Sequence, residues 1–209
     1  MNITTKSFWY EEVDSTQDEA KRLIQSGKVK DIAYVIANLQ TKGRGTHGRK
    51  WSSPVKSGIY LSVIHLPEEK FFFESTTLYT QACGVACVEA IKEIACIETK
   101  LKPVNDIYYN YKKLGGILIE SRLQNKGISY LISGVGINIH KTNHKLDRET
   151  VEPISLEEII SKEDFKNFSK EKLIEKIVEK ICFWYEMVFT GMEDLVLEKW
   201  ENYKLQIRY

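Results

Sequence analysis

Apolar and polar positions change period several times along this chain, and each change marks an element. Ile32 to Asn38 is short and almost wholly apolar, which predicts a buried strand ending at Gln40. Gly58-Ile59-Tyr60-Leu61-Ser62-Val63-Ile64 alternates instead, placing Ile59, Leu61 and Val63 on one face of a second strand. Between Thr76 and Ile94, Leu78, Ala82, Val85, Val88 and Ile91 recur at helical spacing and predict a long core helix. An earlier helix follows Val13-Asp14-Ser15; Thr16 and Glu19 have capping-box spacing, Ala20, Leu23 and Ile24 share a face, and Gly27 is the stop. Ser169 to Met187 is amphipathic through Leu173, Ile174, Ile177, Val178, Ile181 and Trp184, and Leu195 to Tyr203 continues as a last helix.

The middle of the chain reads as strands. Pro103 argues against a helix around Lys102, Asn105-Asp106 lead into an alternating strand, Asn110 to Lys113 turn the chain, and Leu114 to Glu120 bring it back as a hairpin. Ile128 to Ile139 adds a further strand, whereas residues 141–167 are polar and loop-like with a short apolar set at Ile154, Leu156, Ile159 and Ile160.

Composition narrows the class. At 43% hydrophobic and 11% aromatic, 209 residues can bury one sizeable core, and a net charge of +1 supplies no global field for nucleic acid or an anionic membrane. Anion binding must therefore be local. No run approaches the roughly 20 apolar residues of a membrane span, so a cytoplasmic protein without membrane partner is expected. Cys83, Cys87, Cys96 and Cys182 form no Cys-x-x-Cys pair and are expected reduced and buried; a zinc site combining them with His47, His65, His140 or His144 is not expected.

The candidate chemistry starts in Gly43-Arg44-Gly45-Thr46-His47-Gly48-Arg49-Lys50-Trp51, slung between the first two predicted strands. Its glycines permit close approach of backbone to a ligand, and Arg44, Arg49 and Lys50 bring cationic donors, a combination that suits an anion. Gly43, Gly45 and Gly48 match G-x-G-x-x-G, but Trp51-Ser52-Ser53-Pro54 cannot open the helix that a dinucleotide fold needs. A Walker loop fails because no Lys-Ser or Lys-Thr follows Gly48, and a kinase loop lacks His-Arg-Asp and Asp-Phe-Gly downstream. Ser15 and Thr16 read first as helix caps; a helix amino terminus with hydroxyls can also hold a polar ligand head. Gly115-Gly116 weaken a strand unless something lies against the backbone, a ligand or a bulge, and Gly134-Val135-Gly136 offers bare backbone to a flat ligand.

Taken together, these stretches resemble the biotin protein ligases. The matching pieces are Asp14-Ser15-Thr16-Gln17, Gln40, Gly43-Arg44-Gly45-x-x-Gly48-Arg49-x-Trp51 with Ser53-Pro54, Lys102-x-x-Asn105-Asp106, Lys113 to Leu118, and Gly134 to Asn138, in the family's order. The resemblance implies an α+β fold, a mixed and mainly antiparallel sheet backed by helices and related to class II aminoacyl-tRNA synthetases. It divides the chain into a catalytic domain at 1–190 and a terminal helix at 191–209, where members commonly begin a small β-barrel cap. It implies activation of biotin by ATP and Mg²⁺ to biotinyl-5′-AMP, then transfer to a lysine of a biotin carboxyl carrier domain. The alternatives are a lipoate or octanoate transferase of the same fold and a non-catalytic module that binds biotinyl-AMP.

Carried over by position, the resemblance implies biotin contacts from Ser15, Thr16, Gln17, Gln40, Arg44, Gly45, Thr46, Lys102, Gly115 and Gly116. It implies ATP contacts from Arg49, Trp51, Asn105, Lys113 and Asn138, with the glycines before Asn138 facing the adenine. Lys102, Arg49 and Arg44 stand nearest the chemistry, and Asp106 offers a carboxylate to Mg²⁺. The sequence departs from the family pattern where Pro103-Val104 replace Trp-Pro, Thr46-His47 replace two arginines and Gln17 replaces asparagine. Thirteen residues before Asp14 are too few for a helix-turn-helix unit, so no DNA partner is expected; the oligomeric state, a homodimer included, stays open.

Overall fold

The computed structural model describes residues 5–67, 76–124, 127–142 and 151–206. His144, one of the weighed zinc ligands, lies outside the described residues. Seven strands form one mixed sheet in the order β1-β2-β3-β7-β6-β5-β4, and the expected α+β architecture is what is observed. The chain divides into two compact units, Met1–Thr76 with Leu118–Gly136, and Thr77–Ile117 with Ile137–Tyr209. Strands β6 (Lys112–Gln124) and β7 (Gly127–Asn138) run through both.

In the first unit β1 (Lys6–Val13) pairs parallel with β2 (Ile32–Gln40), which pairs antiparallel with β3 (Gly58–His65). The charge-rich β1 was not expected; it is an edge strand whose mostly exposed side chains hide its period. Helix α1 (Thr16–Gln25) lays Ala20 and Leu23 on Ala33, Val35, Ile64 and Ile132, and Gly27 follows it at φ 67° as the predicted stop. β3, an interior strand between β2 and β7, is buried on both faces, not one. Its last residue, His65, is 4% exposed, and burial lowers its pKa to about 4.

In the second unit α2 (Thr76–Ala95) is buried nearly all round, from Tyr79 to Ile91. Helix α5 (Lys170–Phe189) buries every residue of the predicted apolar face, and Trp184 Nε1 donates to Glu89 of α2 at 3.0 Å. Trp200 of α6 (Glu193–Tyr203) packs beside Gly84. Strands β4 (Lys100–Lys102) and β5 (Asp106–Tyr109) precede β6, and the expected hairpin turns at Asn110 and Tyr111, both at positive φ. The segment read as loop holds two short helices, α3 (Leu156–Ile159), closed by a Ser155/Glu158 capping box, and α4 (Lys162–Asn167), capped by Ser161. Cys83 and Cys87 are buried as expected, but Cys96 is exposed and Cys182 half-buried; all four are free thiols. Among the described residues no helix is long and apolar enough to cross a membrane.

Candidate active site

In the first unit, hydroxyls and amides converge on the start of α1. Ser15, Thr16 and Gln17 are 1%, 3% and 4% exposed, unusual burial for three successive polar residues. The capping box expected between Thr16 and Glu19 does not form: Ser15 is the N-cap and makes no side-chain cap bond. Glu19 instead receives Tyr10 Oη at 2.9 Å and Arg22 Nε at 2.7 Å. Thr16 donates its backbone N–H and its hydroxyl to Gln40 Oε1, at 2.8 and 3.1 Å, and accepts from Ser62 Oγ at 2.8 Å. Gln40 Nε2 donates to Ser53 Oγ at 2.8 Å, and Ser53 donates to the Trp51 carbonyl at 3.3 Å.

Gln17 reaches across to β6, where its Nε2 donates to the Leu118 carbonyl at 2.7 Å. Its Oε1 is buried with no hydrogen-bond partner in the protein, an acceptor that costs free energy unless a ligand or water serves it. Asp14, just before the helix, is held down to a pKa of about 2, chiefly by hydrogen bonds from Arg22.

The glycine-rich stretch is itself a small hairpin. Arg44 and Lys50 form an antiparallel bridge, Gly45 N–H donates to the Arg49 carbonyl at 2.8 Å, and a tight turn at Thr46–Gly48 carries His47 at φ 55° and Gly48 at φ 71°. The Arg44 guanidinium is engaged by carboxylates: both its terminal nitrogens bond Glu120 at 3.0 Å, and one also bonds Asp18 at 2.8 Å. Lys21 joins the group 3.1 Å from Glu120. Arg49 is exposed and folds onto its own loop, donating to the Thr46 hydroxyl and carbonyl at 3.0 and 3.3 Å.

Trp51 returns the loop to the sheet. A Cβ on Gly136 would stand 2.5–2.7 Å from its indole, and one on Gly134 would stand 2.8 Å from Gln17 Nε2. The β7 glycines are therefore not the bare backbone expected from sequence. Two side chains cover them.

In the second unit a tight turn joins Lys102 and Asp106, which stand opposite each other in the β4–β5 ladder; the Pro103–Val104 peptide in that turn is cis. Asp106 in turn pairs with Gly116 of β6, so Lys102, Asp106 and Gly116 line up across three strands. Lys102 Nζ lies 3.3 Å from Tyr108 Oη and 5.2 Å from the centre of that ring. Asp106 Oδ1 is 3.1 Å from Lys113 Nζ. Asn105 Nδ2 donates to the Ile117 carbonyl at 2.7 Å, and Asn138 Nδ2 to those of Ile154 and Lys113 at 3.1 and 3.4 Å. The ladder slips at Ile107/Tyr108, so a bulge at Leu114 precedes Gly115-Gly116, as the glycine pair allows.

Among the described residues no group of three His, Cys, Asp or Glu could hold a metal ion. Asp106 supplies one carboxylate. That is what a Mg²⁺ carried by a polyphosphate requires, since most of its shell remains phosphate and water. Side chains that the motif reading passed over are Ser62, Asp18, Glu120 and Tyr108; Ser62 alone gave a signal, as a hydroxyl inside an otherwise apolar strand.

A model of the biotin/lipoate A/B protein ligase family matches residues 9–138, more than half of the chain. The chain belongs to this family. Within it, the Bacillus subtilis protein named bifunctional ligase/repressor BirA is 29% identical over 205 residues, which are 95% of this chain and 59% of that protein. The chain thus spans about three fifths of that relative's length. Among solved ligases of the family, the Aquifex aeolicus biotin protein ligase in complex with biotin and ATP superposes with a TM-score of 0.77 at 30% identity, covering 96% of this chain and 78% of the other. The Leishmania major biotin protein ligase in complex with biotinyl-5-AMP gives 0.74 at 28%, covering 99% and 85%.

Proposed function

We propose that this protein is a biotin protein ligase that joins biotin to ATP as biotinyl-5′-AMP and pyrophosphate, then passes the biotinyl group to a lysine of a biotin carboxyl carrier domain in the cytoplasm. The observation that carries this reading is the buried polar set at the start of α1. Gln17 keeps an unserved acceptor there, and Thr16 and Gln40 are held in one orientation. A cyclic urea, with two N–H donors and one strong acceptor, answers such a set; a saturated acyl chain or a dithiolane does not. The family membership and the ligand-bound neighbours support the same choice.

Residues 1–190 are taken as the catalytic domain, followed by the terminal helix segment at 191–209. Ser15, Thr16, Gln17 and Gln40, with backbone from Arg44 to Thr46, are assigned to the urea head. Gly115 and Gly116 are assigned to the bicyclic body. Lys102 is assigned to the biotin carboxylate and the α-phosphate, two anions that repel each other until a fixed cation offsets their charge. Arg49, Trp51, Asn105, Lys113 and Asn138 are assigned to ATP. Asp106 would hold the Mg²⁺, whose chemistry is to neutralise the phosphate oxygens. Closure of the 43–51 hairpin excludes water that would hydrolyse the mixed anhydride.

Biotin-dependent exchange of pyrophosphate into Mg-ATP tests the reaction, and mass measurement after incubation with both substrates tests retention of biotinyl-AMP. Lipoate in place of biotin should support neither. Lys102→Ala should lower the exchange rate about 10²- to 10³-fold, the usual effect of removing one preorganised electrostatic partner, while leaving the melting curve in place. A folded wild-type protein that neither exchanges nor binds biotin refutes the reading.

A further inference from the structure

The direction of every hydrogen in the Ser62–Thr16–Gln40–Ser53 chain is fixed by its two ends. A backbone N–H can only donate, so the Gln40 atom that meets Thr16 N must be Oε1. Since Oε1 only accepts, the Thr16 hydroxyl spends its proton there and can only accept from Ser62. At the far end the Trp51 carbonyl only accepts, so Ser53 donates to it and accepts from Gln40 Nε2. What remains for a ligand is one N–H on Gln40 Nε2, one lone pair on Thr16 Oγ1, and the unserved Oε1 of Gln17. Without the Ser62 proton, Thr16 Oγ1 would keep a second lone pair to satisfy and its rotamer would lose its anchor on β3. Ser62 is 0% exposed, so it touches no ligand itself.

We propose that Ser62, acting through Thr16, is a positioning residue that sets the hydrogen-bond polarity of the head-group site, with Ser53 as its counterpart acting through Gln40. The proposal rests on the biotin reading above. Its role is confined to the head group, so it bears on biotin affinity and not on the handling of ATP.

The test is calorimetry with biotin on the full chain, together with the exchange assay for kcat and for the KM of each substrate. Ser62→Ala should weaken biotin binding and raise the biotin KM about 3- to 10-fold, the loss of one buried hydrogen bond. The ATP KM at saturating biotin and kcat should stay within about twofold, and Ser62→Thr, which keeps the hydroxyl, should recover the biotin values. Unchanged biotin affinity in Ser62→Ala overturns the proposal, as do equal losses for both substrates, which would mark a structural role only. Should Ser62→Ala lose its cooperative melt, Ser53→Ala breaks the same chain outside β3; it should show the same biotin-selective loss, and no loss overturns the proposal. A wild-type protein that binds no biotin faults the functional reading itself, an outcome distinct from all of these.

Discussion

Replacing Gly136 with alanine forces a choice between a strand and a loop. The new Cβ would stand 2.5, 2.6 and 2.7 Å from Cε2, Cζ2 and Nε1 of the Trp51 indole, whereas unstrained carbon pairs keep about 3.5–4.0 Å. One partner must shift by roughly 1 Å on that comparison. The strand resists, because Val135 and Ile137 on either side are 2% and 0% exposed, and overpacking such a core costs about 1–3 kcal/mol. Trp51 belongs to a loop tied by one isolated bridge, a few hydrogen bonds and the part-exposed ion pairs of Arg44, weaker restraints than a packed core, so the loop yields first. Taking the lower half of the range, its opening becomes easier by about 1–2 kcal/mol, or about 5- to 30-fold in open fraction.

Trypsin reads that fraction directly, since Arg44, Arg49 and Lys50 all lie in the loop. Cleavage after Arg44, Arg49 or Lys50 should accelerate by about that factor, while the melting temperature falls by no more than about 2–4 °C. Equal cleavage rates in variant and wild type would refute the contact. A large fall in global stability with no faster cleavage would show that β7, not the loop, takes the strain.

Two further outcomes follow from charge. His65 has a pKa of about 4 in the fold and 6.5 when unfolded, so below pH 6.5 the unfolded chain binds the extra proton and stability is lost as pH falls towards 4. That difference corresponds to about 3 kcal/mol once the pH is below both values; denaturant melts at pH 7 and pH 4.5 should show about 2 kcal/mol of it in wild type and a smaller loss in His65→Gln, and equal pH slopes would contradict it. Glu120→Gln removes the charge that holds both terminal nitrogens of Arg44, so loop cleavage should rise by about 1 kcal/mol equivalent, roughly fivefold, at low salt. The difference should shrink in 1 M salt; a difference indifferent to salt would argue against an ionic tether.

Elements with an unbroken period were legible in the chain. The apolar stripe of α5 specifies its own burial, and the alternation of β3 marks a strand though not the burial of its second face. What stayed hidden was decided by partners distant in sequence. Ser155-x-x-Glu158 forms a capping box, whereas Thr16-x-x-Glu19 has the same spacing and does not, because Gln40 takes Thr16 while Tyr10 and Arg22 take Glu19. β1 escaped notice since an edge strand needs only one apolar side, and here Val13 is its only buried residue. The motifs single out Ser15 to Gln17, Gln40 and the 43–51 stretch, which the structure gathers at the start of α1, but not the commitment of Arg44 to Glu120, 76 positions away. Nor does any spacing reveal that Gly134 and Gly136 admit side chains of the protein's own.

That last arrangement makes β7 a turnstile. A planar molecule at Gly136 would need the few ångströms that the indole already fills, so the two exclude each other. Its apparent affinity would be reduced by the share of time the indole holds the place.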